Sequence, residues 1–335
     1  MSALTAWPVR SPQWMLTYSG TDITSDISRM VTEVRYTDFL GGRASEVEVA
    51  IDDGAKRWQG PWYPSLGAKV SLFIGYGGET LMPCGDFEID QIELDGPPDA
   101  FRLRCLSAYV TPAMRTRTSR AYENQSLLGI AGAIARRYGL TVVGATDPGN
   151  LAFTRVTQKN ETDLAFLKRL AAAYDYCFSV RGGQLVFYAR SALEAQAPVM
   201  TIARRDTERF SFENLTRATY QGAQVAYQDP SSKQLLIGSA QAATIPAGDT
   251  LKLSPRVENQ RQAVLRAGAE LAHSNRRFLS ARILTPGTTA LLAGNTIALS
   301  GWGAFDAAYL IESAHHRLSR AAGYTTEIEV RRVDY

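Results

Sequence analysis

The chain has 335 residues, 45% of them hydrophobic, which is enough for two or three domains with sizeable cores. Its 36 basic and 33 acidic residues leave a formal charge of only +3, so there is no strong bias toward nucleic acids or membrane surfaces. Cys84, Cys105 and Cys177 are odd in number, far apart and without CxxC spacing, which argues against a disulfide framework and against a zinc site. A reducing compartment during folding fits this cysteine usage.

Two segments bear on membrane targeting. The first fourteen residues, MSALTAWPVRSPQW, have no apolar core of signal-peptide length. Residues Ile283 to Phe305 carry no charge and are long enough to cross a bilayer. They also contain Pro286, four glycines and many hydroxyl side chains, so they predict short strands and turns in a soluble chain.

Residues 1 to 112 are predicted to form a first β domain. Short runs rich in β-forming residues are separated by turns such as Gly41-Gly42 and Asp95-Gly96-Pro97-Pro98. This spacing predicts a sandwich or a small barrel. The predicted strands are Trp14–Tyr18, Met30–Tyr36, Glu46–Ile51, Lys69–Gly75, Asp86–Leu94 and Phe101–Ser107.

The last hairpin of this domain can be predicted in more detail. Its apolar residues change phase within Asp86–Leu94, which indicates a β-bulge near Asp90-Gln91. Keeping the apolar faces together then sets the register of the two strands. The expected pairs are Leu94 with Phe101, Ile92 with Leu103, Glu93 with Arg102, and Asp90 with Arg104.

Residues 113 to 195 are predicted to form a small α+β insert. Apolar residues from Leu127 to Tyr138 recur with helical spacing, and Gly139 suits the left-handed position that ends a helix. A strand is expected at Leu140–Val143. After it, the segment Gln158–Tyr188 predicts one helix that leads directly into a β-hairpin.

The segment Gln158–Tyr188 is predicted to be a structural module that holds other parts of the chain in register. Asn160 is the expected N-cap, and Asp163 places a carboxylate in the first turn, where it suits the helix dipole. The hairpin turns at Arg181-Gly182-Gly183-Gln184. The expected apolar stripe of the helix is Leu164, Leu167, Ala171 and Tyr174.

Residues 196 to 335 are predicted to form a second β domain with one long helix. Ser254 as N-cap and Pro255 at the first helical position predict a helix from about Pro255 to Arg276. The fold class is therefore mainly β, with an α+β insert between two β domains. The expected buried side of the helix is Val264, Ala267, Leu271 and Phe278. The predicted strands are Arg209–Phe212, Tyr220–Tyr227, Gln234–Gly238, Ser280–Leu284, Thr296–Leu299, Ala308–Arg317 and Thr325–Arg332.

Two groups of side chains are candidates for chemistry. Asp86, Glu88 and Asp90 alternate along one strand and share a face, but neighbouring carboxylates there lie roughly 7 Å apart, too far for one ion without other ligands. A solvated face with cross-strand arginine partners is favoured. His315 and His316 point to opposite faces of a strand, so a satisfied or exposed histidine is favoured over a ligand.

Other motifs also favour structural roles. No HExxH, GxSxG or GxxxxGK[ST] pattern occurs. The run Gly75-Tyr76-Gly77-Gly78 lacks a following helix and predicts a hairpin turn. Arg115, Arg117 and Arg120 form a basic patch without interleaved aromatics, which favours a surface or subunit contact over nucleic acid. We therefore expect a protein that is not an enzyme, with no catalytic, cofactor-binding or metal-binding residue.

Stretches over nearly the whole chain match one protein family in order and spacing. In the middle they are QSLLGIAGAIARRYGL (125–140) and QKNETDLAFLKRL (158–170). Flanking them are Ser45–Asp53 (SEVEVAIDD), Asn259–Leu271 (NQRQAVLRAGAEL) and Gly323-Tyr324-Thr325-Thr326. With these motifs the chain resembles the bacteriophage late-control D proteins, the baseplate hub family of contractile tails. It is also similar to the N-terminal part of the VgrG spike proteins of type VI secretion.

The resemblance implies two tail-tube-like β-barrel domains flanking a small α+β domain. It implies a homotrimer whose six barrels adapt the sixfold tail tube to the threefold central spike, with injection driven by sheath contraction. Expected partners are other copies of the chain, a separate central spike trimer, tail tube or tube-initiator proteins, and the tape-measure and other baseplate proteins. We expect no specific nucleic-acid binding and no membrane span. The expected location is the baseplate of a virion or tail-like particle, assembled in the bacterial host cytoplasm.

Two classes of function stay open at this point. One is the structural hub; the other is a phage-derived cell-wall hydrolase or glycan-binding β protein. Within the hub class, an acidic strand face such as Asp86, Glu88 and Asp90 is a hypothetical channel lining that repels the phosphates of a passing cargo. Pairing of Asp90 with Arg104 on an outer face is the favoured alternative.

Overall fold

The computed structural model describes residues 10–108, 112–145, 151–215, 219–230, 233–242, 245, 248–276 and 278–333. These residues are mainly β, as predicted, with helices concentrated in the middle of the chain and one long helix near the end. The helices are α1 (Thr24–Ile27), α2 (Leu127–Arg137), α3 (Asp163–Ala173), α4 (Arg190–Glu194) and α5 (Gln260–Asn275). The strands are β1 (Pro12–Tyr18), β2 (Thr21–Asp22), β3 (Val31–Phe39), β4 (Glu46–Asp52), β5 (Lys69–Tyr76), β6 (Met82–Asp95), β7 (Ala100–Ser107), β8 (Arg117–Ser126), β9 (Thr141–Ala145), β10 (Ala152–Thr162), β11 (Tyr176–Arg181), β12 (Gln184–Ala189), β13 (Thr201–Ala203), β14 (Arg209–Asn214), β15 (Tyr220–Gln228), β16 (Leu235–Gln241), β17 (Asp249–Leu253), β18 (Leu279–Pro286), β19 (Thr296–Ser300), β20 (Ala308–Ser319) and β21 (Gly323–Arg332).

One sheet runs through both β regions of the chain. Its strand order is β14-β18-β21-β20-β3-β4-β7-β6-β5-β1-β2, and β19 also pairs with β20. Along one side, the first residues of β20 pair with β19, and Ser313 to Ser319 pair with β3. β20 therefore joins the early and late strands into one continuous sheet. The division of the chain at residues 112 and 195 stays a prediction.

Two hydrophobic clusters lie against this sheet. The first is built mainly from β1 and β3 to β7 and includes Leu72, Ile74 and Phe87. The second is built mainly from the late strands and includes Ile283 and Tyr309. In β4, β7 and β21, buried residues alternate with residues on the opposite face, as expected for a sheet that is covered on one side.

The strands predicted before residue 112 are all present. The register of β6 shifts between Ile89 and Gln91, which confirms the predicted bulge. The expected pairing of Asp90 with Arg104 is wrong, because the bulge brings Gln91 opposite Arg104 and the arginine instead reaches Glu46 on β4, at 2.9 Å. The confirmed pairs are Leu94 with Phe101, Ile92 with Leu103 and Glu93 with Arg102.

The middle of the chain packs around a separate hydrophobic cluster, in which α2 and α3 contribute Ile134 and Leu167 and β12 contributes Phe187. α2 ends before Gly139, which has the predicted left-handed backbone, with φ of +67°. The predicted strand after it is β9, which lies parallel to β12. The antiparallel pair β8 and β10 was not predicted.

The predicted cap of α3 is wrong. Thr162 caps the helix, and its Oγ1 accepts a hydrogen bond from the Ala165 N–H at 3.1 Å. Asn160 lies within β10 at a bulge opposite β8, with φ of +48°, a conformation that asparagine adopts more readily than most residues. Asp163 is the first helical residue, in accord with the prediction of a carboxylate in the first turn.

The apolar stripe predicted for α3 is correct in part. Leu167 and Ala171 are buried, whereas Leu164 and Tyr174 pack at the margin of the cluster. Two further buried side chains, Phe166 and Leu170, were not predicted to belong to the stripe. The hairpin after the helix is confirmed: Gly182 and Gly183 both have positive φ and connect β11 with β12.

The long helix of the last region begins later than predicted. Asn259 caps α5 by accepting the Gln262 N–H at 2.9 Å, so Ser254 and Pro255 lie outside the helix. The intervening segment places Val257 in a hydrophobic cluster shared with β15 and α5, and a helix over these residues would remove it from that core. On α5, Ala267 and Leu271 are buried as predicted.

Two residues assigned to the buried side of α5 lie elsewhere. Val264 is 43% exposed. Phe278 follows the helix and packs against the cluster of Ile283. The uncharged segment Ile283–Phe305 forms the end of β18, β19 and turns. No helix in the described part of the chain is long and apolar enough to cross a membrane.

Candidate functional site

The acidic candidates lie along an open strand face. Asp86 accepts a hydrogen bond from the Ser71 hydroxyl at 2.7 Å, Glu88 lies opposite Lys69, and Asp90 is exposed at the bulge. Among the described residues, no three His, Cys, Asp or Glu side chains are arranged to hold a metal ion. The cross-strand arginines expected for this face are present on the same sheet, where Arg104 pairs with Glu46 and Arg102 pairs with Glu93.

The adjacent histidines have different surroundings, as their opposite orientations predict. His316 is 1% exposed; its Nε2–H donates to the Leu291 carbonyl at 3.0 Å, which leaves Nδ1 to accept from the Tyr324 hydroxyl at 2.8 Å. Burial lowers the pKa of His316 to about 4. His315 is half-buried beside the Thr37 hydroxyl. His316 is thus a neutral core side chain with both ring nitrogens hydrogen-bonded.

Stability is expected to depend on the protonation of His316. Its folded-state pKa of about 4 lies below the ordinary value of 6.5, so the unfolded chain binds more protons between these pH values. The stabilisation is therefore complete above about pH 6.5 and is lost as pH falls through 4, by about 3 kcal/mol. Urea unfolding of His316→Asn should show a flatter dependence over this range than the wild type. Equal slopes in the two proteins would contradict the assignment.

The cysteines and the basic patch do not form a site. All three cysteines are free, and burial raises the pKa of Cys105 to about 12 and that of Cys177 to about 11, so these two are not reactive thiolates. Arg115, Arg117 and Arg120 are exposed. Their role as a surface or subunit contact stays a prediction.

The most extended charged feature is a ladder of ion pairs on the face of the long sheet opposite its hydrophobic clusters. It crosses seven neighbouring strands, and the sign of the charge changes repeatedly from strand to strand. Six glutamates and five arginines leave the surface nearly neutral. We call it the charge ladder: Arg282 on β18, Glu327 and Glu329 on β21, Arg317 on β20, Glu33 and Arg35 on β3, Glu46 and Glu48 on β4, Arg102 and Arg104 on β7, and Glu93 on β6.

Cross-strand contacts connect the members of the charge ladder. Arg102 is central to one part, 3.2 Å from Glu48 and 3.1 Å from Glu93. In another part, Arg317 lies 2.5 Å from Glu33, which also contacts Arg35. These arginine side chains are 41–50% exposed, so water screens each pair. The ladder makes the face hydrophilic without giving it a strong net charge.

Individual pairs of the charge ladder are expected to contribute little to stability. Replacing Arg317 by glutamine should lower the free energy of unfolding by no more than about 1 kcal/mol, because exposed ion pairs gain little over their hydrated partners. The loss should shrink at high salt, which screens exposed charges. Urea unfolding at low and high salt measures both effects, and a large loss that is independent of salt would show that the pair is effectively buried.

A buried carboxylate joins three parts of the chain. Asp38 on β3 is 1% exposed and lies 2.9 Å from the Arg181 guanidinium of the β11–β12 hairpin. It also accepts from the Ser45 hydroxyl and from the Ala293 N–H, each at 3.0 Å. Burial raises the pKa of Asp38, and Arg181 opposes that shift. Arg181 donates in addition to the Phe39 carbonyl at 2.7 Å, so the hairpin is tied to the sheet as the register-holding prediction requires.

A second charged cluster connects the middle of the chain to β20 and β21. Arg190 of α4 lies 2.6 Å from Glu312 and 3.5 Å from Asp175. Glu312 is also 2.6 Å from Arg331, whose side chain is 3% exposed. Asp175 in turn contacts Arg276, at the end of α5. The shared carboxylates connect four structural elements: α4, β20, β21 and the end of α5.

Glu258 and the start of α5 are attached to the edge of β10 that has no neighbouring strand among the described residues. The two carboxylate oxygens of Glu258 accept the N–H groups of Thr154 and Arg155 on β10, at 2.7 and 2.8 Å. Gln262 donates to the Ala152 carbonyl at 2.9 Å. Two side chains thus supply hydrogen bonds that a neighbouring strand would otherwise make.

The charge ladder and the contacts of Asp38 and Glu258 were not predicted from the sequence, although the outer strand faces could have been recognised. Alternate charges of one sign, such as Glu46 and Glu48 or Arg102 and Arg104, indicate an outer strand face. The partners become evident only when the strand order is known. For Asp38 and Glu258, no local pattern indicates a partner, because each contacts residues more than 100 positions away.

Comparison with known proteins places this architecture in a family. The family model for the phage tail baseplate hub (GPD) matches residues 66–322. A probable baseplate hub protein of Escherichia phage 186 is 32% identical over 216 residues, which are 63% of this chain and 55% of that protein. The chain thus spans about half the length of this curated relative.

Solved structures show the same fold. A tail protein from Neisseria meningitidis MC58 superposes with a TM-score of 0.73 at 15% identity, covering 96% of this chain and 97% of that one. A type VI secretion component of E. coli gives a TM-score of 0.55 at 14% identity, covering 94% and 76%. The family match extends over most of the chain and confirms the resemblance found in the sequence. The chain belongs to the phage tail baseplate hub (GPD) family.

Proposed function

We propose that the chain is the structural baseplate hub of a contractile phage tail or tail-like injection particle. As a homotrimer it would adapt the sixfold tail tube to the threefold central spike. The observation that carries this proposal is the pair of hydrophobic clusters on one long sheet, which is compatible with two β units in each chain. Three chains then supply six β units for a sixfold partner.

The division of labour within the chain follows from its connections. The two β units correspond to the tail-tube-like barrels, and the α+β insert supplies threefold contacts. Buried charged groups such as Asp38 and Arg190 hold the insert against the sheet. Such anchoring suits a protein that transmits force without chemistry of its own, with sheath contraction driving injection.

The charge ladder is the surface that we assign to the aqueous passage. Interfaces are dominated by aromatic and other apolar anchors, whereas the ladder presents paired charges that favour continued hydration. Because its charges nearly balance, a passing polyanion or polypeptide is not held strongly. Asp86 and Glu88 lie on the same face of β6 and would add the repulsion of phosphate proposed from the sequence.

The proposed hub function also implies the partners of the chain. The hub contacts other copies of itself, the central spike trimer, and tail tube or tube-initiator proteins, with tape-measure and other baseplate proteins nearby. It belongs to the baseplate of a particle that is assembled in the bacterial host cytoplasm. Neither a membrane span nor specific nucleic-acid binding belongs to this function.

Light scattering of the purified full chain tests the proposal. A stable particle of three times 36.7 kDa, formed alone or with the spike protein, is the expected result. Electron microscopy of particles produced without the chain should show tails that lack a complete baseplate. A monomer that lyses cell-wall substrate or binds its glycans would overturn the hub in favour of the hydrolase or glycan-binding class.

A further inference from the structure

The connection between β4 and β5 presents aromatic side chains to solvent. In this aromatic loop, residues 57–67, the exposed fractions are 37% for Trp62, 60% for Tyr63 and 64% for Leu66. Arg57 lies over the Trp62 ring, 5.2 Å from its centroid. Trp, Tyr and Arg are the residues most often found at the energetic centre of protein interfaces.

The aromatic loop is held in a defined conformation. The buried carboxylate of Asp53 accepts the N–H groups of Trp58 and Gln59 at 3.1 and 3.2 Å. The Gln59 amide donates to Asp99 at 2.9 Å, and the Ser65 N–H donates to the Tyr18 hydroxyl. A surface that is fixed before binding loses little conformational entropy when a partner arrives.

A groove of about 270 Å³ lies between this loop, the end of β1 and α1. Its lining is aromatic and aliphatic, with Tyr18, Ile23 and Trp62 among its walls and Asp26 as the one charged member. Trp58 also lines it, and the buried indole N–H of Trp58 has no acceptor among the described residues. That N–H is sealed from solvent, so the surface that the groove offers to a ligand consists of its exposed rings.

Residues 1–9 of the chain, MSALTAWPV, lie outside the described residues and have the required chemistry. They carry no charged side chain and include Leu4, Trp7 and Pro8. A residue that precedes proline favours extended backbone, so Trp7 is suited to a shallow groove. Nine extended residues reach at most about 30 Å.

The path of the chain points this segment toward another copy. Arg10 is anchored beside the turn after β5, where it pairs with Glu79 at 3.0 Å. The groove lies at the other end of β1, next to Tyr18, about 20 Å away. To occupy its own groove, the segment would have to double back along β1. The groove of an adjacent copy requires no reversal.

We propose that the groove of the aromatic loop binds residues 1–9 of a neighbouring copy through their apolar side chains. This arm exchange rests on the proposed homotrimeric hub. It would be one of the contacts that hold the copies of the chain together. Trp7 or Leu4 of the arm packs against Trp62 and Tyr63.

Peptide binding to a truncated chain tests the groove. A dye-labelled peptide of residues 1–9 is titrated into protein that lacks these residues, and fluorescence anisotropy is recorded. Saturable binding is expected, weakened about thirtyfold by Trp62→Ala, as is usual for loss of an aromatic hot spot. Leu66→Ala is the matched control, because Leu66 is exposed in the same loop but does not line the groove. Circular dichroism verifies that both variants fold.

Three results would overturn the proposal: no saturable binding, equal binding by the Trp62→Ala variant, or binding of N-acetylglucosamine oligomers in place of the peptide.

A cross-link in the full chain identifies the copy that supplies the arm. Thr5→Cys combined with Ser65→Cys should form disulfide-linked oligomers, whereas each single variant should not. A link within one chain would overturn the exchange. Light scattering of the same protein measures the trimer separately. A trimer that lacks the arm contact would therefore overturn the arm exchange but not the proposed hub function.

Discussion

Replacing Leu167 by aspartate is expected to unfold the middle of the chain and to prevent its assembly. Leu167 is fully buried on α3, in a cluster that includes Ile134 and Phe187. Truncating a buried leucine alone typically costs about 2–5 kcal/mol, and an unpaired carboxylate in the same place adds its desolvation. The total approaches the entire stability of an ordinary domain, about 5–15 kcal/mol. Circular dichroism during heating and light scattering measure the two consequences.

Ala165→Asp provides the matched control for this substitution. Ala165 is exposed in the first turn of the same helix, where a carboxylate is compatible with the helix dipole. This variant should melt within a few degrees of the wild type and form the same oligomer. If Leu167→Asp also melted normally and assembled, α3 would not bury the face that the structure assigns to it.

Local sequence patterns were sufficient for most strands and for the ends of some helices. The bulge in β6 followed from a change of apolar phase, and the turn at Gly182-Gly183 followed from the backbone freedom of glycine. Both features are determined by residues close together in the chain. That locality explains why three of the four pairs predicted for the β6–β7 hairpin are correct.

The errors arose where distant contacts competed with local signals. Asn160 has good N-cap chemistry, yet β8 pairs with its segment and leaves Thr162 to cap α3. Pro255 favours a helix start, but Val257 is buried and Glu258 binds the edge of β10. Intrinsic preferences of about 1 kcal/mol are readily overridden by several tertiary contacts.

The candidate surfaces could be predicted only in part. Outer strand faces are evident from alternating charges, but the charge ladder depends on the pairing of β20 with β3, which connects residues about 280 positions apart. The groove of the aromatic loop likewise requires Tyr18 and Trp58 to meet. Periodicity within a single segment does not predict such contacts between distant residues. The order of strands had to come from the fold.

The second large effect is expected from Arg181→Met, which removes the cation beside a buried carboxylate. Asp38 is 1% exposed, and without Arg181 it is left with neutral donors such as the Tyr36 hydroxyl, the Ser45 hydroxyl and the Ala293 N–H. Breaking a buried pair from one side typically costs about 3–5 kcal/mol, because the remaining charge is not solvated; the 38% exposure of the Arg181 side chain places this loss toward the lower end. Methionine keeps most of the aliphatic stem, so the loss reports mainly on charge and hydrogen bonding.

The pH dependence of this variant separates electrostatics from packing. Burial already raises the pKa of Asp38, and loss of Arg181 should raise it further. The folded variant then binds a proton that the unfolded chain releases above its ordinary pKa of 3.8, so stability falls as pH rises through the window between the two values. Urea unfolding at several pH values should show this fall more strongly than in the wild type.

A second substitution at Asp38 completes the test. Adding Asp38→Asn to Arg181→Met removes the stranded charge, keeps one acceptor oxygen, and should restore part of the lost stability and abolish the added pH dependence. Arg155→Met is the control, since its pair with Glu123 is about 60% exposed and should matter little. A double variant less stable than Arg181→Met alone would contradict this account. In that case Asp38 would stabilise the sheet through its hydrogen bonds, and Arg181 would stabilise the hairpin through its bond to the Phe39 carbonyl.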